Sequence, residues 1–193
     1  QIPNISFDWV VDENFSEVPL WHPNVKSVIT TNHRSWKKNI FSNSLINELR
    51  NIKSALNTIN YDAIIDMQNN LKSAAISFLI KDPVHGLDKD SAREYPSHLA
   101  YKFKYKVSKE NHAISRQRQL LGLSLNYKFD SQDIDYGIQN NRFERPDFKL
   151  PNKFIFLVHN ASWPTKMWSI SRWQELLKLI HSEGYMTILP SGS

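Results

Sequence analysis

Hydrophobic and polar positions along this chain switch repeatedly between the two-residue period of a strand and the 3.6-residue period of a helix. Strand-like patterns occupy residues 5–11, 25–31, 61–67, 84–87 and 102–107, and helix-like patterns occupy 15–20, 44–59, 71–79 and 112–123. Later, strand patterns at 154–158 and 185–189 enclose a helix that begins near Ser169. Strands that alternate with helices are typical of a mainly parallel sheet. The pattern predicts an α/β fold.

The periodicity fades between Asn126 and Asn152, where Pro146 and Pro151 break regular structure. We therefore predict a Rossmann-like N-terminal domain over residues 1–138, a linker over 139–150, and the first part of a second Rossmann-like domain over 151–193. The chain enters a strand almost at once and stops where a last strand would lead into its loop. We expect a fragment that lacks both ends of a longer protein.

Composition narrows the function classes. The 193 residues carry 24 Lys and Arg against 19 Asp and Glu, and the resulting charge of +5 favours an anionic partner. The absence of cysteine excludes a disulfide scaffold and a cysteine-bound metal. The seven histidines include no pair spaced as metal ligands, so we predict no metal. No apolar run approaches the ~20 residues of a membrane span, so a soluble cytoplasmic protein is expected.

Ligands of doubly wound sheets gather at the carboxyl ends of strands, so the loops that follow strands hold the candidate sites. The loop at 32–39 places Arg34, Lys37 and Lys38 around Trp36. Three cations in five residues suit a substrate with several carboxylates or phosphates. A solvated basic loop is the alternative.

The row of Lys102, Lys104 and Lys106 is interpreted as a charged edge strand.

Two more loops follow strands in the first half of the chain. The asparagines in 68–73 are expected to cap a helix, although they could hold sugar hydroxyls. Arg93 follows the next strand among mixed charges, and a surface ion pair is its simplest role. Asp62 and Asp66 bracket a strand and are expected to be structural rather than an acid and a base.

The segment 159–168 joins a strand to a helix through a polar loop with one lysine. Helix-start N–H groups lack partners and lie at the positive end of the helix dipole, which favours a bound phosphate. Ser162, Thr165 and Lys166 could add two hydroxyls and an ammonium. An ordinary surface loop with a solvated lysine is equally compatible with this spacing.

Six short segments, taken in order along the chain, carry a resemblance to one protein family. They are 7–11, 21–23, 34–38, 61–66 with 71–75, 85–88 with 92–94, and 166–168 with Trp173. In this order they resemble the lipopolysaccharide heptosyltransferase I family, within glycosyltransferase family 9. The resemblance implies the GT-B architecture, in which two Rossmann-like domains face each other across a cleft. It also implies transfer of L-glycero-D-manno-heptose from ADP-heptose to Kdo of the lipopolysaccharide inner core, on Kdo2-lipid A, by an inverting, metal-independent reaction without a cofactor.

The resemblance assigns roles to individual residues. Acceptor binding maps to Arg34, Ser35, Lys37, Lys38 and Arg93, and donor binding maps to Ala161, Ser162 and Lys166. Ser35 stands where the family often has a further arginine, and Ala161 stands where it has a hydroxyl residue. Asn69 stands where the family usually has glycine, the residue that best permits close backbone approach.

The resemblance also implies that functional segments lie outside this chain. The proposed catalytic aspartate would precede Gln1, and segments that bind ribose, adenine and heptose would follow Ser193, so the fragment alone is expected to be inactive. The implied location is the cytoplasmic face of the inner membrane, with peripheral attachment and no nucleic-acid partner.

Two other interpretations remain open. The first is heptosyltransferase II, or another GT-B enzyme of the same family, which would need fewer acceptor cations. The second is a basic, non-catalytic module that binds nucleic acid or an anionic membrane, whose affinity would fall steeply with salt.

Overall fold

The computed structural model describes residues 2, 4–32, 36, 43–128, 135–138, 143, 144, 146–161 and 163–190. The chain divides into two compact units, Gln1–Arg142 and Phe143–Ser193. This division falls inside the segment 139–150. The assignment of an acceptor domain and a donor domain to the two units stays a prediction.

The first unit begins with two parallel strands. Strand β1, Phe7–Asp12, pairs with β2, Val25–Thr31. The connection contains two short 3-10 helices, Glu13–Phe15 and Val18–Trp21, where the sequence predicted one helix over 15–20. That prediction was wrong because a proline fits only the first turn of a helix, and Pro19 therefore starts a new turn within this short segment.

Helix α1, Asn43–Leu56, follows β2 and buries Ile52 and Leu56. It ends three residues before the predicted end at residue 59. The side chains of Asn57 and Thr58 donate hydrogen bonds to the carbonyls of Lys53 and Ser54, at 2.6 Å each. Such bonds compete with continued helix formation, and they explain the earlier end.

A second parallel sheet of the first unit has the order β3-β4-β5. Its strands are β3, Ile64–Ile65; β4, Val84–Leu87; and β5, Phe103–Tyr105. Strand β5 lies at the edge of this sheet, as its alternating lysines predicted. Strand β3 is shorter than the predicted 61–67, because the polar side chains on both sides of it make other contacts.

One of those contacts links the two sheets. The Tyr61 hydroxyl donates to Asp8 Oδ2 at 2.9 Å, which ties the segment before β3 to β1. Burial, together with the hydrogen bond to the Asp8 carboxylate and its charge, raises the pKa of Tyr61 to about 12. The phenol therefore remains a protonated donor at neutral pH.

The first unit also contains helices α2, Leu71–Ser77, and α3, Ala113–Ser124, and a short 3-10 helix, Ser97–Ala100. Helix α3 begins where predicted, with His112 Nδ1 accepting from the Ile114 amide at 3.3 Å. The centre of the core consists of four buried side chains: Leu87, Ala92, Val107 and Leu120. Apolar side chains of β4 and α3 therefore pack together with Ala92, in the loop after β4, and with Val107, which follows β5.

The regular strands and the α-helix described in the second unit form a β-α-β arrangement. Strand β6, Phe154–Phe156, pairs in parallel with β7, Met186–Ile188, and helix α4, Ile170–Ser182, connects them. Gly184 has φ of +78°, which suits the left-handed turn that ends α4. None of the helices in the described ranges combines the length and the apolar character that a membrane span needs.

Gly86 in the central strand β4 provides a test of this packing. A Cβ built at this position would overlap the ring of Tyr101. We expect Gly86→Ala to lower the free energy of unfolding by about 1–3 kcal/mol, because overpacking displaces the ring. Urea denaturation measures this change. Gly184→Asn is the control, since its Cβ position is empty and asparagine tolerates a positive φ, and an unchanged Gly86→Ala midpoint would contradict the packing.

Candidate functional site

The first candidate region lies at the carboxyl ends of β3 and β4, and Asp66 is its buried anchor. Asp66 Oδ1 accepts hydrogen bonds from the amides of Gln68 and Asn69, at 2.9 and 3.0 Å. Asp66 Oδ2 accepts from the Tyr101 hydroxyl at 2.7 Å. These bonds confirm the structural role predicted for Asp66.

Tyr101 supplies the second buried member of this network. Its side chain is 3% exposed. Burial, followed by the charge of Asp66 and their hydrogen bond, raises the pKa of Tyr101 above its usual value. The hydroxyl therefore stays protonated at neutral pH and donates to Asp66, which holds the start of the loop after β3 in place.

Asn69 connects the ends of the two strands. Its Nδ2 donates to the carbonyl of Asp66 at 2.7 Å, and its Oδ1 accepts from the amide of Leu87 at 2.6 Å. The backbone has φ of +52°, a left-handed conformation that asparagine tolerates better than most residues. Because the side chain is 1% exposed, it fills the position where the resemblance led us to expect a glycine.

The carbonyl of Asn69 also holds the loop that follows β4. It accepts from the amides of Arg93 and Glu94 at 3.2 and 3.3 Å, and from Ser97 Oγ at 3.1 Å. Glu94 Oε2 in turn accepts from the Leu71 amide, at the start of α2, at 2.9 Å. These hydrogen bonds fix the backbone of Arg93 beside the first turn of α2. Arg93 itself is exposed.

The neighbouring asparagine has the capping role that the sequence predicted. Asn70 Oδ1 accepts from the Ser73 amide at 2.9 Å, and Ser73 Oγ accepts from the Asn70 amide at 3.2 Å. This reciprocal pair is a capping box. The amide side chain of Asn70 therefore caps the start of α2 and is not free to bind a sugar hydroxyl.

Asp88 organises the turn between β4 and Arg93. Asp88 Oδ1 accepts from the amides of Asp90 and Ser91, at 3.1 and 2.8 Å. Burial acts to raise the pKa of Asp88, but the hydrogen bonds of Ser91 and Asp90, together with the charge of Lys106, lower it overall. The carboxylate stays ionised at neutral pH and keeps the turn closed.

The predicted basic loop is only partly described. Arg34, Ser35, Lys37 and Lys38 lie outside the described residues. On either side of Arg34, Asn32 and Trp36 bind the same carboxylate: Glu48 Oε1 accepts from the Asn32 amide at 2.7 Å and from Trp36 Nε1 at 3.1 Å. Glu48 therefore attaches this segment to α1.

The second candidate region belongs to the second unit and follows β6. Ala161 is partly buried and Lys166 is exposed, whereas Ser162 lies outside the described residues. Lys166 ends a 3-10 helix, Pro164–Lys166, and its amide donates to the Trp163 carbonyl at 2.9 Å. The sequence predicted a polar loop that leads directly into α4, and the structure adds this turn because Pro164 fits a helical first position.

Helix α4 starts four residues after Lys166. Ser169 caps it, with Oγ 3.5 Å from the Arg172 amide. The first amides of α4 have no intrahelical partners and lie at its positive dipole end. Nearby in the sequence, His159 Nδ1 is buried without a hydrogen-bond partner in the described structure. The strand end, Lys166 and the helix start follow one another closely along the chain, an order that suits an anion site.

Sequence reasoning did not assign Tyr101 or Ser97 to a site. Each contacts the loop after β3 across a long sequence separation, 35 residues for Tyr101 with Asp66 and 28 for Ser97 with Asn69. No local spacing reveals such a contact. The only available signal was the asparagine at a position that the resemblance reserves for glycine.

Comparisons with known proteins identify the family. The profile of "Glycosyltransferase family 9 (heptosyltransferase)" matches residues 49–193. The chain is 39% identical over its full length to lipopolysaccharide heptosyltransferase 1 of Pseudomonas aeruginosa and covers 54% of that protein. It is 36% identical to lipopolysaccharide heptosyltransferase 1 of Escherichia coli K12 and covers 60% of it. The chain therefore spans between half and two thirds of the length of these relatives.

Comparison with solved structures indicates the same family. The whole chain superimposes on 61% of the E. coli heptosyltransferase WaaC solved with ADP-2-deoxy-2-fluoro heptose, with a TM-score of 0.88 and 36% identity. For the same enzyme with ADP, the TM-score is 0.85 over 60% of that chain, at 35% identity. These similarities confirm the predicted α/β fold of the GT-B type. The chain belongs to glycosyltransferase family 9, the heptosyltransferase family.

Proposed function

We propose that the full-length protein transfers L-glycero-D-manno-heptose from ADP-heptose to Kdo of the lipopolysaccharide inner core. The observation that carries this proposal is the similarity, over the whole chain, to a heptosyltransferase solved with an ADP-heptose analogue. The basic composition agrees with two anionic substrates, since the chain has a net charge of +5. Kdo2-lipid A is the proposed acceptor, with the protein attached peripherally to the cytoplasmic face of the inner membrane.

The second unit is proposed to bind the donor. Lys166 is exposed between the end of β6 and the start of α4, where an ammonium and helix amides can neutralise a diphosphate. Ala161 contributes only backbone contact because its side chain has no hydroxyl, and Ser162 contributes the remaining hydroxyl. Oriented positive charge at this place stabilises ADP most strongly as it leaves.

The first unit is proposed to bind the acceptor. Arg93 is exposed beside the first turn of α2, and the basic residues Arg34, Lys37 and Lys38 share its role of holding the acidic Kdo groups. Guanidinium groups suit carboxylates because they donate two parallel hydrogen bonds. Ser35 lacks a cation, which leaves Arg93 with a larger share of this binding.

The proposed reaction is a single inverting displacement. A Kdo hydroxyl attacks the anomeric carbon of heptose on the face opposite to ADP while a carboxylate accepts its proton. The new glycosidic bond forms as the bond from the anomeric carbon to the diphosphate oxygen breaks, and ADP departs with the electron pair. Lys166 stabilises the charge that builds on that oxygen.

The test of this function is consumption of ADP-heptose by the full-length protein with defined acceptors. Formation of ADP and a heptosylated product with Kdo2-lipid A supports the proposal. A product formed only with an acceptor that already carries heptose would indicate the heptosyltransferase II reaction instead. Binding of nucleic acid or anionic vesicles without turnover, with a steep salt dependence, would indicate a non-catalytic module.

Lys166→Ala tests the donor site. We expect kcat/KM for ADP-heptose to fall roughly 10–100-fold, because the diphosphate loses a charged partner as its negative charge develops. Steady-state kinetics measure this loss. Lys178→Ala removes an equivalent charge from the exposed face of α4 and should leave the kinetics unchanged. Equal kinetic constants for Lys166→Ala and the wild type would refute the donor role.

Arg93→Ala tests the acceptor site. We expect the KM for Kdo2-lipid A to rise about tenfold while the KM for ADP-heptose changes little, because only the acceptor carboxylates lose a bidentate partner. Lys89→Ala is the matched control, since Lys89 is an exposed cation in the same turn. A change confined to the donor KM would contradict the division of roles between the two units.

A further inference from the structure

The joint between the ends of β3 and β4 bears directly on acceptor affinity. Asn69 bridges these ends through both atoms of its amide side chain, to the Asp66 carbonyl at 2.7 Å and the Leu87 amide at 2.6 Å. The backbone amide of Asn69 donates to Asp66 Oδ1 at 3.0 Å. Because each of these groups is engaged, Asn69 has a fixed position relative to both strands.

The position of Asn69 is passed on to Arg93. The Asn69 carbonyl accepts from the amides of Arg93 and Glu94, at 3.2 and 3.3 Å, and from the Ser97 hydroxyl at 3.1 Å. Arg93 itself is exposed, whereas Asn69 is buried, so a backbone hydrogen bond links a buried anchor in the loop after β3 to an exposed charged residue in the loop after β4. A displaced Asn69 carbonyl would therefore displace the Arg93 backbone.

We propose that Asn69 is a positioning residue for acceptor binding, which acts by fixing the backbone of Arg93 through this joint. The inference rests on the proposed function, because it takes the acidic acceptor as the ligand of Arg93. Asn69 is too deeply buried to contact a substrate in this arrangement. Its effect belongs to acceptor affinity and not to the chemical step.

Asn69→Gly isolates the side chain. Glycine adopts φ of +52° without strain and retains the backbone carbonyl, so the substitution removes only the two side-chain bonds that join the strands. In the full-length protein we expect the KM for Kdo2-lipid A to rise about tenfold, with kcat and the KM for ADP-heptose within about twofold of wild type, because a small misplacement of a binding group has large effects. KM does not depend on the fraction of folded enzyme.

A double variant shows whether the effect passes through Arg93. If it does, Asn69→Gly combined with Arg93→Ala has the same acceptor KM as Arg93→Ala alone, because no positioned guanidinium remains. Effects on KM that multiply, or an unchanged KM in Asn69→Gly, would overturn the proposal. Should Asn69→Gly not fold, Asn69→Ala takes its place, since it removes the same two side-chain bonds and keeps the Cβ that asparagine already has at this position.

Asn70→Ala is the matched control. It removes the cap of α2 from the adjacent position and should leave the acceptor KM unchanged, although it lowers stability. An increase in acceptor KM equal to that of Asn69→Gly would overturn the specific role of Asn69.

Hydrogen exchange separates this proposal from the proposed function. Peptides covering residues 85–97 should exchange faster in Asn69→Gly than in wild type, because the Leu87 amide loses its acceptor and the Asn69 carbonyl that accepts from the Arg93 and Glu94 amides is no longer held in place. An active wild type with unchanged exchange in the variant would reject the positioning role alone. A wild type that does not consume ADP-heptose, with exchange still accelerated, would reject the acceptor role and leave the mechanical joint intact.

Discussion

The first unit depends on the hydrogen-bonded joint of Asp66, Asn69 and Tyr101 at the ends of β3 and β4. Strand β3 has only two residues, so its ladder contributes little to the position of the following loop. The Asp66 carboxylate instead accepts three hydrogen bonds, from the backbone amides of Gln68 and Asn69 and from the Tyr101 hydroxyl. Buried polar groups at this density are stable only when each has a partner, because an unpaired one costs about 1–3 kcal/mol.

This constraint determines what the surrounding loops can do. Asn69 connects the buried network to the segment of Arg93, and Asp88 closes the turn that leads there. A charged side chain on such a segment loses less conformational freedom on binding than one on an untethered loop. The candidate donor site has a different basis, since Lys166 lies on a short 3-10 turn between a strand and a helix start. There the local backbone, and not a buried network, provides the geometry.

The sequence predicted those features that depend on periodicity and local chemistry. The α/β alternation, strand β4, the edge position of β5 and the cap of α2 by Asn70 agree with the structure. The predictions failed where side chains compete with the backbone, as at the end of α1 and in the short β3. The contacts of Tyr101 and Ser97 with the 66–69 loop could not be predicted, because they join residues 28 to 35 positions apart.

Asparagine at position 69 shows how one side chain can replace the freedom of a glycine by a fixed connection. Glycine accepts φ of +52° because it has no Cβ, but it cannot bond to the neighbouring strand. Asparagine accepts this conformation at a modest cost and offsets it with two buried hydrogen bonds, at 2.6 and 2.7 Å. The substitution therefore removes space for a close backbone approach and adds rigidity. Rigidity favours a binding role for the adjoining Arg93 loop over a role that requires the loop to open.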